Sequence, residues 1–193
     1  MSTLRPPRQA AYKRRLEAAF GSEALGGALR GSDFILSSRR LWLISIALYR
    51  SGHPRLAKLL KNVNSMLYHN SLPCEATVSH DVRLGHHGLG TVLHPKIRIG
   101  SGVKIFQNVT MAVRPPLGPN EIVIEDGVVI GANAVIITPR NRSIRIGRGA
   151  SVGAGTVITR DVPDLTIAIG VPPELRERTA RRARAEEGEE ADV

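Results

Sequence analysis

The chain has a single cysteine, Cys74, among 193 residues, so no disulfide can form within it. That suits a reducing compartment. Aromatic residues are scarce, with three Phe, three Tyr and one Trp. A reader of nucleic acid that stacks bases on an aromatic platform is therefore disfavoured, although a formal charge of +10 would suit a polyanion. The basic residues are also dispersed, at 13–15, 39–40, 140–148 and 176–184, and read as a solvated surface with no nucleic-acid partner. Long apolar runs are lacking. The most hydrophobic stretch, LWLISIALY at 41–49, has nine residues, whereas a membrane-spanning helix needs about 20. The opening MSTLRPPRQAAYKRR has no apolar signal core. The expectation is a soluble cytoplasmic protein without a membrane partner, with enough apolar content (42%) to bury one core.

What is present changes character near residue 72. Residues 1–71 form an α-helical region, with helices expected over 8–20, 37–52 and 54–70 from apolar spacing of three to four. From 72 to 173 aliphatic residues recur every six positions. One frame carries Leu93, Ile99, Ile105 and Met111; another carries Ile124, Ile130 and Ile136; a third carries Ile146, Val152 and Ile158. A small or slim residue follows four positions after each, as at Val103, Val128, Ala134 and Ala150, and is expected in a turn. A six-residue period fits neither helix nor plain strand. It is the period of a solenoid in which each hexad makes one flat face of a prism. The fold class expected is mainly β: a left-handed parallel β-helix of hexapeptide repeats behind an α-helical N-terminal part. Residues 174–193 form a charged tail.

The frame breaks at 85–92, 112–123 and 137–145. A repeat that loses register must bulge or extrude a loop, and loops on rigid scaffolds carry function. The loop 112–123 holds three prolines and is expected to be stiff and extended. The first break lies in RLGHHGLGTVLHPKIRIG, where His86, His87 and His94 are half of the chain's six histidines. A zinc site would need them to converge with a fourth ligand. Adjacent residues on a flat strand point to opposite faces, so His86 and His87 are not expected to share a metal, and no metal is expected. His94 reads as a polar turn residue.

The succession GHHGLGTVLHPKIRIGSGVKIFQNVTM, VVIGANAVI, SVGAGTVITRDVP and AIGVPPELRER resembles the serine acetyltransferase family, over roughly residues 38 to 176. The resemblance implies an acetyl-CoA-dependent O-acetyltransferase, with acyl-CoA as donor substrate and a small-molecule acceptor. Counting back from FQNVTM, it puts the family's general base on His87. It implies that the pantetheine arm of CoA runs past Ala112, Ala132 and Ala154, with Arg160 or Arg148 meeting its phosphates. It implies a homotrimer, and a hexamer if trimers stack through their helical parts.

Three departures from the family pattern stand out. His86 occupies the place of an aspartate before the catalytic histidine. Leu72 occupies the place of the aspartate that orients it. Asn120-Glu121 stands where an Arg-His pair holds the serine carboxylate, leaving Arg114 as a replacement cation. With His86, Arg114 and Glu121 as candidate acceptor contacts, the acceptor is serine or, alternatively, a sugar or natural-product hydroxyl or amine. A non-catalytic scaffold is the further alternative.

Overall fold

The computed structural model describes residues 37–114 and 120–170. The helix expected over 8–20, the centre of the proline loop and the charged tail lie outside them.

Helix α1 (Ser38–Arg50) and helix α2 (Pro54–Tyr68) follow the two expected helical patterns. Proline at the start of α2 suits the first turn, where its missing N–H has no partner to lose. Beyond them the chain winds through three parallel faces. Face one stacks β1 (Thr77–Val78), β4 (Ile97–Ile99), β7 (Ile122–Ile124) and β10 (Ile144–Ile146). Face two stacks β2 (Arg83–Leu84), β5 (Lys104–Ile105), β8 (Val129–Ile130), β11 (Ser151–Val152) and β13 (Ile167–Ala168). Face three stacks β3 (Val92–Leu93), β6 (Thr110–Ala112), β9 (Val135–Ile137) and β12 (Val157–Ile158). This is the expected parallel β-helix.

Its core is the aliphatic column that the six-residue frame describes. Ile105, Ile130, Ile136 and Ile146 are all fully buried. The plus-four residues sit just before their strands, as expected of a turn position, but they too point inward: Val103, Val128, Ala134 and Ala150 are fully buried. Each hexad therefore supplies two core residues, and the plus-four side chain is slim because it fills a corner of the prism. Glycine after the aliphatic position has its own cause. At Gly131 and Gly147 a Cβ would stand 2.6 Å from backbone atoms of the next coil, Ala154 N and Pro163 C.

The register shows where coils lengthen. Leu93 pairs with Met111, eighteen positions on and three hexads away. Val78 reaches Ile99 after 21, Ile99 reaches Ile124 after 25, and Ile124 reaches Ile146 after 22. The extra residues fall in the three segments where the sequence frame breaks.

One end of the prism is closed by α1. Trp42, Leu43 and Ile46 are buried in the same core as the coils, and Trp42 Nε1 donates to the Pro73 carbonyl at 2.8 Å. Helix α1 packs on β2, on the turn after it, and on α2. Among the described residues no helix is long and apolar enough to cross a membrane.

Candidate functional site

The prism has three corners, and most of the candidate residues sit at two of them. The turn from face two to face three carries His86 and His87 in the first coil, Asn108 in the second, Ala132-Asn133 in the third and Ala154-Gly155 in the fourth. These turns stack through backbone bonds. Asn108 N–H donates to Leu89, Asn133 N–H to Gln107 and Gly155 N–H to Ala132. Asn108, Asn133 and Gly155 take a positive φ at this corner, the left-handed conformation that Asn and Gly tolerate best.

In the first coil that conformation falls on both histidines, with φ of 48° at His86 and 58° at His87. The expectation of a flat strand here is corrected. The chain makes a 3-10 turn, Gly85–Gly88, with two successive left-handed residues. Such conformations cost energy and cluster at functional positions. Both side chains are exposed. The His87 ring lies against Tyr68, the last residue of α2, with centroids 5.4 Å apart and planes inclined at 34°.

His94 sits away from His86 and His87, in the turn from face three to face one after β3. Its Nδ1 accepts the Lys96 N–H at 3.0 Å. Burial, and then the Lys96 charge, hold its imidazole below the ordinary histidine value. The ring is thus neutral near pH 7 with its proton on Nε2, and Nδ1 is already engaged. Among the described residues no three His, Cys, Asp or Glu side chains are grouped to hold a metal ion.

The turn from face three to face one carries the other candidates. Arg114 and Glu121 bracket the loop extruded after β6, and Arg160 follows β12. The second extruded segment, after β9, leaves from the same corner one coil later. The two are joined at their bases: Arg114 N–H donates to Thr138 Oγ1 at 2.9 Å, and Glu121 N–H to Ser143 Oγ at 3.1 Å. Glu121 does not stand alone as an acid, because Arg98 is 3.6 Å from its carboxylate. Both flank a cavity of about 240 Å³ that Asn120 and Lys96 also line. Asn120 is 4% exposed, and its Nδ2 has no hydrogen-bond partner among the described residues.

The structure therefore brings His86, His87, Ala132 and Ala154 to one corner and Arg114, Glu121 and Arg160 to another. Ala112 lies on face three between them, at the end of β6. Arg148 is on the remaining corner, where its N–H donates to Asp164. Leu72 is buried in the core at 1% exposure and offers no polar atom to His87. The residue beside His87 is Tyr68, which sequence reasoning missed. It precedes His87 by nineteen positions, and no spacing rule joins a helix end to a β-helix turn.

Residues 121–160 match the family model described as the hexapeptide repeat of succinyl-transferase. The serine acetyltransferase of Bacillus subtilis (strain 168) is 29% identical over 142 residues, covering 73% of this chain and 63% of that protein. The chain spans 44% to 63% of the length of the Bacillus relatives it matches. Soybean serine acetyltransferase complexed with serine superposes with a TM-score of 0.65 at 26% identity, over 87% of this chain and 72% of that one. The Brucella abortus serine acetyltransferase in complex with coenzyme A shares the fold, with a TM-score of 0.64 at 21% identity over 89% of this chain and 74% of that one. By its repeat, its sequence relatives and its fold, this chain is a hexapeptide-repeat β-helix protein similar to the serine acetyltransferases.

Proposed function

We propose that the chain is one subunit of an acetyl-CoA-dependent O-acetyltransferase with His87 as general base. The acceptor hydroxyl gives its proton to the imidazole as its oxygen attacks the thioester carbonyl. The C–S bond then breaks, and the imidazolium returns the proton to the departing CoA thiolate. Imidazole suits both transfers because it exchanges protons near neutral pH.

The observation that carries this reading is the shared corner of His87, Ala132 and Ala154. The small side chains of Ala132 and Ala154 would let a pantetheine arm lie close to the stacked backbone there. The Brucella abortus relative is seen with coenzyme A. Arg160 is an exposed cation for the CoA phosphates.

The subunits are proposed to form a homotrimer through face three. Its outward residues are Val92, Thr110, Val135 and Val157, none of them charged. The outward residues of face one are Thr77, Arg98, Val123 and Arg145. Packing face three against a neighbour would set the His87 corner of one copy near the extruded-loop corner of the next. A hexamer would use the exposed apolar stripe of α2, where Leu56, Leu59 and Met66 are open to solvent.

The Arg98–Glu121 ion pair offsets the Glu121 charge, and Lys96 lines the same cavity, so the corner suits serine as well as a sugar or natural-product alcohol. The test is a free-thiol release assay with acetyl-CoA against L-serine, sugars and amino alcohols. His87→Ala is expected to lose at least about a hundredfold on the best acceptor. Equal inactivity of wild type and His87→Ala on every acceptor would favour a non-catalytic scaffold.

A further inference from the structure

We infer that Tyr68 is the positioning residue for His87, through its aromatic ring, in the place where a carboxylate partner is missing. The inference rests on the reading of His87 as the base. The ring contact itself is the first observation, with centroids 5.4 Å apart in a tilted arrangement. Aromatic pairs attract at about 4.5–7 Å between centroids.

The second observation is how rigidly the two rings are brought together. Helix α2 ends at Tyr68, and His69 turns the chain with φ 48°. The His69 carbonyl accepts the Gly90 N–H at 3.0 Å, Ser71 N–H donates to Thr91 at 2.8 Å, and Leu93 N–H donates to Ser71 at 3.0 Å. The residues just after Tyr68 are thus bonded to the residues just after His87. Asn70, buried, locks the same segment onto α1 by donating to Ser38 Oγ at 2.9 Å.

The third observation is that Leu72, the position the family resemblance pairs with His87, supplies no carboxylate. Leu72 points into the core and has no polar atom. A carboxylate partner orients an imidazole and stabilises its cation. A phenol ring against the imidazole does both by other means: packing fixes the ring, and the π face attracts the imidazolium formed when the proton is taken.

The experiment compares Tyr68→Leu and Tyr68→Phe in the full chain. Proton NMR of the histidine ring signals reads the contact without any substrate. Tyr68→Leu is expected to shift the His87 signals by removing the ring current, while Tyr68→Phe keeps them near the wild-type position. In steady-state assays on the best acceptor, Tyr68→Leu is expected to lower kcat about ten- to a hundredfold with KM for acetyl-CoA within about twofold. Tyr68→Phe is expected to stay within about threefold of wild type, because the ring and not the hydroxyl carries the effect. A Tyr68→Leu variant with wild-type kcat, while His87→Ala is inactive, overturns the inference and leaves the reading of His87 standing. Unmoved His87 signals in Tyr68→Leu overturn it whatever the activity. Equal loss in the Phe and Leu variants overturns the role given to the ring.

Discussion

The N–H of Gly90 donates to the carbonyl of His69 at 3.0 Å. This bond joins the histidine turn of the first coil to the end of α2. The helical part is therefore part of the candidate site's support as well as a cap on the prism.

Trp42 tests that coupling. It is fully buried between α1 and the first coils, with its indole N–H on Pro73. Trp42→Ala is expected to cost about 3–5 kcal/mol of stability, as large aromatic truncations in a core do. Chemical denaturation with far-UV circular dichroism measures it. A loss under about 1 kcal/mol would mean that α1 does not share the core of the coils.

Gly131 tests the stacking of turns. Its missing Cβ would stand 2.6 Å from Ala154 N and 2.9 Å from the Val152 carbonyl oxygen. These are backbone atoms and cannot rotate away. Gly131→Ala is expected to destabilise by about 1–3 kcal/mol, the usual range for overpacking. A melting temperature equal to wild type would show that the coils can separate locally at no cost.

Asp81 tests pH dependence. Burial works against its charge, but Ser79 Oγ, Ser101 Oγ and the Gly102 N–H all donate to it. The hydrogen bonds win, and the carboxyl lies below its usual value. A carboxyl depressed in the folded state adds stability that is fully present above its unfolded pKa of about 3.9. That stability is lost as pH falls through the folded value. The melting temperature of Asp81→Asn is expected below wild type at pH 7, with the gap closing below about pH 4. A gap of constant size from pH 7 to pH 3 would rule out this role.

Val135 tests the proposed assembly. It lies outward on β9, paired with Thr110 on one side and Val157 on the other. Val135→Arg is expected to leave the fold of a single chain intact and to reduce the mass seen by light scattering to that of a monomer. Acetyl transfer is expected to fall with it, because each site would lack the neighbouring corner. An unchanged mass would remove face three as the subunit contact.

Several features of the molecule could be read from residue order. The six-residue period of aliphatic residues required a prism, since no helix or flat strand buries every sixth residue on one side. The frame breaks marked the extruded segments, because a broken register must either bulge or loop out. Of the three helices expected from apolar spacing, the two within the described residues formed within two residues of their expected ends. These are local or periodic properties, and nearby residues carry them.

Other features came only from packing. Two successive left-handed histidines are a consequence of how the first coil joins the turns stacked on it. The ion pair of Glu121 with Arg98 comes from the parallel pairing of β4 with β7. The division of the candidate residues between two corners depends on how many residues each coil takes to return to the same face. The meeting of Tyr68 and His87 depends on α2 stopping where it does and on backbone bonds made across the intervening coil. Residue order specifies periodicity and patterning along the chain. Which side chains meet across coils is decided by register and by the closure of the prism, which couple positions that no local spacing relates.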